Sequence, residues 1–321
     1  MGFLLLLFLI PISLLIFLAV IVRPKPSTTT IPIKNRHVFI TGGSSGIGLA
    51  MAHQAALAGA QVSILARDKI QEAKDWIKLA TGCDVAVYEA DVRDYDAVSR
   101  AVNDAGPIDV LICNQGLFFA RELERQSLEE IKSMIDVNLL GTFHLIKAAL
   151  PGMKEKRAGR STPRCIALTS SQAGQMGIYG YAAYCASKFG LRGMAEALQQ
   201  EIIQDDIHVS LIFPPDTETP GLVEDKKRRP PITGAIAAFS TPMKAEEVAK
   251  KALNGIQCGV FNVHCNLEGF FMSIIAAGFS PQRSVLMAFI EVIGASMGRI
   301  IALGFQFIFY QSITKLHARK K

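Results

Sequence analysis

The sequence predicts an α/β fold in which helices cover both faces of a doubly wound parallel sheet of seven strands. Between residues 35 and 265, short apolar or β-branched runs alternate with longer amphipathic stretches, which is the pattern of repeated βαβ units. A glycine-rich stretch follows the first run directly, and 321 residues leave room for one such domain with appendages. Together these features indicate a Rossmann-like architecture for the middle of the chain.

Seven runs have the composition and length of buried strands. The predicted strands are residues 37–41, 62–66, 85–89, 110–113, 165–169, 208–213 and 260–264. The predicted helices are residues 46–58, 70–79, 95–102, 128–150 and 181–203. Residues 214–242 differ from this pattern, because they contain clustered prolines, a charge run and a small apolar stretch at 232–239. We interpret them as a long functional loop.

The N-terminal run, residues 3–22, is uncharged and long enough to cross a hydrocarbon core of roughly 30 Å, although Pro11 is expected to kink it. A cleaved signal peptide is the alternative, but no basic residue precedes the run and no small-residue cleavage site follows it. We interpret residues 1–22 as a membrane anchor helix and residues 23–34 as a linker. Arg23 and Lys25 follow the anchor, so the positive-inside rule places the catalytic domain, residues 35–265, in the cytosol.

The C-terminal residues 266–321 are interpreted as a membrane-associated region with a basic tail at 315–321. Residues 269–280 are too short to span a bilayer alone, and Glu291 and Arg299 interrupt the rest of the apolar segment. The sequence is therefore compatible with a membrane-dipping hairpin, with interfacial helices or with full spans. Packing of these segments in a homo-oligomer is a further alternative.

The six cysteines form neither a C-x-x-C pair nor a zinc spacing with the histidines, so we expect reduced, packed thiols and no metal site. The formal net charge is +6, with basic residues near the first anchor, at 226–229 and in the tail. Beside a membrane, such runs favour anionic lipid headgroups over nucleic acid, so no nucleic-acid partner is predicted.

The glycine-rich stretch joins the first predicted strand to the first predicted helix of the domain. Glycines let the backbone approach a pyrophosphate closely, and the start of a helix offers unpaired N–H groups and a favourable dipole. The residues expected to bind a dinucleotide there are Gly42, Ser44, Ser45, Gly46, Ile47 and Gly48.

The end of the second strand indicates which dinucleotide is bound. Ala66 stands where an NAD-binding sheet would present a carboxylate to the ribose 2′-hydroxyl, and Arg67 follows at once. A guanidinium suits a 2′-phosphate, so the sequence favours NADPH, with Ser44 as a second contact. The alternative is that Arg67 is an ordinary surface cation.

Two further loops follow strands at the same edge of the predicted sheet, where open α/β sheets bind ligands. Asp91 and Val92 are expected to bind the adenine, and Asn114 and Gly116 to shape the floor under the adenine ribose.

The candidate catalytic residues are a phenol, an ammonium, a hydroxyl and an amide. Tyr184 and Lys188 are spaced to share one face of a helix, where Lys188 and a bound nicotinamide would lower the pKa of the phenol. Tyr184 would protonate a ketone oxygen during reduction, and Ser171 would polarise the carbonyl. Asn138 is expected to hold a water that connects Lys188 to solvent.

These elements, in this order, resemble the short-chain dehydrogenase/reductase family, whose T-G-x-x-x-G-x-G, N-x-G, Asn, Ser and Y-x-x-x-K motifs are matched between Thr41 and Lys188. The resemblance extends over residues 35–265, and the usual N-A-G reads N-Q-G here. Ser171 rather than Ser170 has the usual spacing to Tyr184. The resemblance also implies cofactor contacts at Pro214 and Thr217.

Residues 170–175, 181–184 and 214–221 look like the corresponding segments of family members that reduce 3-ketosphinganine to sphinganine with NADPH in sphingolipid synthesis. The resemblance implies a lipid substrate, a long-chain amino ketone, met at the cytosolic face of the endoplasmic reticulum membrane. Residues 214–242 would then form an apolar gate for the acyl chain. A membrane-bound steroid or retinoid carbonyl reductase stays open as an alternative, as does a membrane scaffold that binds NADPH without chemistry.

Overall fold

The computed structural model describes residues 2–22, 30–155, 162–238 and 240–318. The chain divides into two units, residues 30–269 and residues 1–29 together with 270–321. Several residues named above lie outside the described ranges. They are Arg23 and Lys25 beside the first anchor, Phe239 at the end of the expected gate, and Arg319, Lys320 and Lys321 of the basic tail.

The larger unit contains a seven-stranded parallel sheet and a separate pair of short parallel strands. The strands are β1 (His37–Thr41), β2 (Gln61–Ala66), β3 (Ala86–Glu89), β4 (Val110–Cys113), β5 (Arg164–Thr169), β6 (Ile207–Phe213), β7 (Thr217–Glu218), β8 (Met243–Lys244) and β9 (Asn262–His264). The main sheet has the order β3-β2-β1-β4-β5-β6-β9, and β7 pairs with β8. The predicted Rossmann-like sheet is thus confirmed.

The helices connect these strands and extend to both ends of the described chain. They are α1 (Gly2–Val22), α2 (Gly46–Leu57), α3 (Ile70–Thr81), α4 (Tyr95–Ala105), α5 (Leu128–Ile135), α6 (Gly141–Lys154), α7 (Ala182–Glu201), α8 (Pro220–Arg228), α9 (Pro231–Ala237), α10 (Ala245–Gln257), α11 (Leu267–Ile275) and α12 (Val285–Ala318). A π turn, Asp136–Leu140, joins α5 to α6.

Two hydrophobic cores cover the two faces of the main sheet. Val38 and Ile40 of β1 pack in one core with Met51 of α2, whereas Phe39 packs in the other with Leu145 of α6. This alternation follows from the two-residue period of a strand. Helices on both faces therefore bury the central strands of the sheet, whereas the edge strand β3 stays partly exposed.

The interpretation of residues 214–242 as a loop is wrong, because they contain β7, α8 and α9. Pro220 and Pro231 lie in the first turns of α8 and α9, where the missing N–H costs no intrahelical hydrogen bond. Helix α10 is also absent from the sequence prediction. Its buried residues follow helical spacing, at Val248, Ala252 and Ile256 among others.

The smaller unit consists of α1, the end of α11 and α12, with α1 and α12 packed together. Helix α12 continues through Glu291 and Arg299, so the two charges that interrupt the apolar segment lie within one continuous helix. Within the described ranges, residues Val285–Lys315 form a helix long and apolar enough to cross a membrane. Its side chains are mostly exposed, which leaves a large apolar surface.

Candidate active site

A cavity of about 270 Å³ opens at the carboxyl edge of the main sheet, beside the point where the strand order reverses between β1 and β4. Its walls come from the segments that follow β1, β4, β5 and β6 and from α7 and α8. The predicted residues that line it are Gly42, Ser45, Gly46, Ile47, Asn114, Gly116, Ser171, Tyr184, Lys188, Pro214 and Thr217. The predicted residues outside its lining are Ser44, Gly48, Arg67, Asp91, Val92 and Asn138.

The glycine turn has the shape that its sequence requires. Gly42 and Gly46 have φ values of +63° and +54°, a region that favours glycine. A Cβ atom on Gly48 would lie 2.1 Å from the carbonyl oxygen of Gly42, so this position has no room for a side chain. The turn is therefore open to a ligand on its cavity side and close-packed on the other.

Thr41 fixes the glycine turn to the segment that follows β4. Its hydroxyl accepts a hydrogen bond from the backbone N–H of Asn114 at 3.0 Å and donates to Gln115 Oε1 at 2.5 Å. Gln115 in turn donates to Thr142 on α6 at 2.9 Å. The middle residue of the N-Q-G motif thus braces the floor of the site through its side chain.

Arg67, Asp91 and Val92 lie together beyond the ends of β2 and β3. The guanidinium of Arg67 is half exposed, and its Nη1 lies 3.9 Å from Asp91 Oδ2. Arg93 donates to both carboxylate oxygens of Asp91 and holds the pKa of that carboxyl below its usual range. Val92 is buried, and its carbonyl oxygen lies 2.9 Å from His144 Nδ1.

Tyr184 and Lys188 lie one turn apart on α7, with Lys188 Nζ 5.7 Å from the centre of the Tyr184 ring. The Lys188 ammonium is buried and donates a hydrogen bond to Thr169 O at 2.8 Å. Burial lowers the pKa of Lys188 to about 7. An ammonium that can lose its charge near neutral pH therefore lies beside the phenol.

The expected lowering of the Tyr184 pKa is not produced by the groups of the chain. Burial raises this pKa well above its ordinary value, and a hydrogen bond with Ser171 only partly opposes the rise. The phenol is therefore neutral over the physiological range, the state from which it can donate a proton.

Ser170 and Ser171 have different surroundings. Ser170 is buried, and its hydroxyl donates to the backbone oxygen of Lys188 at 3.0 Å. Ser171 is less buried, accepts a hydrogen bond from Ala173 N at 3.1 Å, and interacts with Tyr184. The structure thus places Ser171 beside the phenol and uses Ser170 to hold α7 against β5.

Asn138 is fully buried beneath the cavity, in the π turn between α5 and α6. Its amide nitrogen donates to Leu117 O and Ser187 Oγ, at 2.8 and 2.9 Å, and its Oδ1 accepts from Leu117 N at 2.7 Å. Both amide protons are therefore used within the protein, and Asn138 ties the segment after β4 to α7. A water held by Asn138 between Lys188 and solvent stays a prediction.

Sequence reasoning missed a group of ionic side chains at one wall of the cavity. Arg229 belongs to the basic run at 226–229 that the sequence assigns to anionic lipid headgroups, but its guanidinium is buried and pairs with Asp216 and Asp225. Tyr181 donates to Asp225 Oδ2 at 2.5 Å. The four-residue spacing of Asp225 and Arg229 is a helical signal, and it was hidden because residues 214–242 were interpreted as a loop.

Neither disulfides nor metal centres contribute to the site in the described part of the chain. The six cysteines are free thiols. Among the described residues, no group of three or more His, Cys, Asp or Glu side chains is arranged to hold a metal ion.

Comparison with known proteins identifies relatives that align over nearly the whole chain. The 3-dehydrosphinganine reductase TSC10A of Arabidopsis thaliana is 62% identical over 297 residues, which cover 92% of this chain and 90% of that protein. The 3-ketodihydrosphingosine reductase of Mus musculus is 34% identical over 302 residues, covering 91% and 88%.

The fold has a close match among solved structures. A short chain dehydrogenase/reductase from Burkholderia phymatum, solved in complex with NAD, superimposes with a TM-score of 0.64. It is 21% identical, and the match covers 77% of this chain and 92% of that one. The family model described as short chain dehydrogenase matches residues 36–230, more than half of the sequence. This match and the two long relatives show that the chain belongs to the short chain dehydrogenase family.

Proposed function

We propose that this protein reduces 3-ketosphinganine to sphinganine with NADPH, as a step of sphingolipid synthesis. The proposal depends on one observation, that Ser171, Tyr184 and Lys188 line the same cavity beside the glycine turn. We infer the substrate from the name of the Arabidopsis relative, which is 62% identical.

The glycine turn fits a dinucleotide, because the positive φ values of Gly42 and Gly46 and the crowded Gly48 leave backbone N–H groups at the start of α2 open to a pyrophosphate. Ala66 and the half-exposed Arg67 favour a 2′-phosphate at the end of β2. Bound NADPH supplies the hydrogen and two electrons that reduce the carbonyl carbon. Asn114, Gly116, Pro214 and Thr217 would hold its remaining groups from the cavity wall.

The chain supplies the proton and the polarisation. Tyr184, a neutral phenol whose pKa burial raises further, would donate its proton to the ketone oxygen, and the Ser171 hydroxyl would donate a hydrogen bond to the same oxygen. The phenolate that forms would be stabilised by the ammonium of Lys188, whose Nζ lies 5.7 Å from the ring centre. Asn138 would keep α7 at the required distance from the segment after β4.

The helices of the smaller unit support a location at a membrane. Helix α12 is long and apolar enough to span, and an insoluble long-chain ketone partitions into the bilayer that such a helix would occupy. We place the protein in the endoplasmic reticulum membrane with residues 35–265 facing the cytosol. A homo-oligomer that buries α12 is the competing arrangement.

A substrate panel tests the proposal. Purified protein in detergent micelles is given NADPH with 3-ketosphinganine, retinal or a keto-steroid, and oxidation of NADPH is followed. We expect kcat/KM for 3-ketosphinganine to exceed the other two values by at least about 100-fold, since an acyl chain and a polar headgroup together offer more specific contacts than either alone. Equal or higher values for retinal or the steroid would reject the assigned substrate.

A further inference from the structure

One wall of the cavity carries a buried ionic cluster, Asp216, Asp225, Arg229 and Tyr181, that no step of the reduction uses. Arg229 Nη1 lies 2.8 Å from Asp216 Oδ2, and its Nη2 lies 2.7 Å from Asp225 Oδ2. The Arg229 and Asp225 side chains are 7% and 0% exposed, whereas Asp216 is 31% exposed and lines the cavity. Tyr181 and Arg229 also line the cavity, but Asp216 is the most exposed ionic member of the cluster and its accessible carboxylate.

The charges of this cluster do not balance. Two carboxylates share one guanidinium, which leaves one negative charge in excess. Asp225 Oδ1 is also buried without a hydrogen-bond partner among the described residues. The excess negative charge lies at the cavity wall, where the Asp216 carboxylate is accessible, so the cluster is suited to receive a cation there.

The excess charge acts on the catalytic residues. The carboxylates of Asp216 and Asp225 both contribute to the raised pKa of Tyr184, which places them within electrostatic range of the phenol. Asp216 follows Pro214 and Pro215 at the end of β6, and all three line the cavity with Ser171 and Tyr184. A ketone held by Ser171 and Tyr184 would thus lie in the same cavity as the Asp216 carboxylate.

We propose that Asp216, held in place by Arg229, binds the ammonium group next to the ketone of the substrate and thereby selects α-amino ketones over simple ketones. This inference rests on the proposed function, because 3-ketosphinganine carries an amine on the carbon beside its carbonyl. Arg229 orients the carboxylate, and the hydroxyl of Tyr181 holds Asp225 on the far side of Arg229.

The test compares two ketones and two variants of the full-length protein. The substrates are 3-ketosphinganine and 1-hydroxyoctadecan-3-one, which has the same chain and hydroxyl but no amine. The variants are Asp216→Asn, which removes the charge with little change of shape, and Glu218→Gln, a matched change at an exposed position of β7. The measured quantities are kcat/KM for each substrate and the Kd for NADPH.

We expect Asp216→Asn to lower kcat/KM for 3-ketosphinganine at least about tenfold, the usual effect of losing a charge-assisted hydrogen bond. The same variant should change kcat/KM for the amine-free ketone less than about threefold. Glu218→Gln should change neither. An equal loss on both ketones, or no loss on either, would overturn the inference.

The wild-type protein gives a second test that needs no variant. It should prefer 3-ketosphinganine to the amine-free ketone at least about tenfold, and equal kcat/KM values would also overturn the role of Asp216. Such a result would leave the proposed reduction intact. If the wild-type protein binds NADPH but reduces neither ketone, the proposed function itself fails.

Discussion

If the cofactor is NADPH, as proposed, Arg67 is the side chain that we expect to contribute most to this choice. It is half exposed at the end of β2 and lies 3.9 Å from Asp91, so its guanidinium can turn toward a phosphate without leaving a buried partner. The shape of the glycine turn, in contrast, suits either dinucleotide. Cofactor preference should therefore change with one residue, while binding of the pyrophosphate should not.

We predict that Arg67→Ala lowers kcat/KM for NADPH by about 10- to 100-fold, the range for one lost charge-assisted hydrogen bond to phosphate, and leaves the value for NADH nearly unchanged. Steady-state kinetics with both cofactors measures this. Arg100→Ala, at an exposed position of α4, is the matched control and should change neither value. An equal loss with NADPH and NADH would contradict the assignment.

The buried ammonium of Lys188 makes the stability of the cofactor-free protein depend on pH. Its pKa is about 7 in the folded protein and returns to about 10.4 on unfolding. Between these values the unfolded chain binds more protons, so this group makes the free energy of unfolding rise with pH.

We therefore predict that the Tm of the wild-type protein, compared with that of Lys188→Met, increases by a few degrees from pH 7 to pH 9, at about 2–4 °C per kcal/mol for a domain of this size. Thermal unfolding of both proteins in the same buffers measures the difference. A difference that stays constant with pH would mean that the ammonium is not destabilised by burial.

Among the elements, the π turn between α5 and α6 determines how the floor of the site is braced. An added residue in a helix rotates the following side chains about the helix axis. Here the π turn Asp136–Leu140 places Asn138 inside the protein. From there its amide connects Leu117 and Ser187.

Asn138→Ala would leave the N–H and C=O groups of Leu117 and the hydroxyl of Ser187 with one partner fewer. We predict a loss of on the order of 2–4 kcal/mol in the free energy of unfolding, measured by chemical denaturation. Asn103→Ala, at an exposed position of α4, should cost far less. Similar losses for the two variants would show that the Asn138 amide does not brace the fold.

The strands and the first helices were predictable because local sequence determines them. Buried parallel strands are continuous apolar runs, and β1, β4 and β5 begin and end within one residue of the predicted positions. Helices α8 and α9 were missed because prolines usually mark loops, although the first turn of a helix accepts them. Helix α10, in contrast, has its buried residues at helical spacing, so the sequence does contain a signal for this helix.

Some features of the candidate site were likewise predictable from the sequence, and others were not. Tyr184 and Lys188 were predictable because one helix holds both at a fixed spacing. The ion pair of Asp216 with Arg229 was not, because it joins the end of β6 to the residue after α8 and depends on the fold between them. The raised pKa of Tyr184 also depends on burial, which the motif alone does not give.

At the scale of the whole molecule, the two units differ in how far their apolar side chains are exposed. Residues 30–269 bury their apolar side chains around the sheet, whereas α12 exposes large apolar residues such as Ile300, Ile301 and Phe307. We interpret the first unit as the catalytic part and the second as the part that retains it at the membrane.

We predict that the full chain stays with membranes after alkaline carbonate extraction, whereas a chain without residues 1–29 and 282–321 is released into the soluble fraction. The released protein should still reduce a short, soluble ketone, because the cavity is formed within residues 30–269. Replacing Thr162, an exposed residue outside the deleted segments, should leave extraction unchanged. Release of the full chain would reject the membrane assignment and favour a homo-oligomer that buries α12.

In the proposed reaction Tyr184 protonates the ketone in a cavity that also holds NADPH. Single-turnover oxidation of NADPH by 3-ketosphinganine, measured for the wild-type protein, Tyr184→Phe and the control Tyr179→Phe, tests it most directly. Tyr184→Phe should bind NADPH with an unchanged Kd in a fluorescence titration and lose at least about 100-fold in rate, the usual contribution of a general acid, while Tyr179→Phe keeps its rate. Turnover by Tyr184→Phe at the wild-type rate would contradict the account.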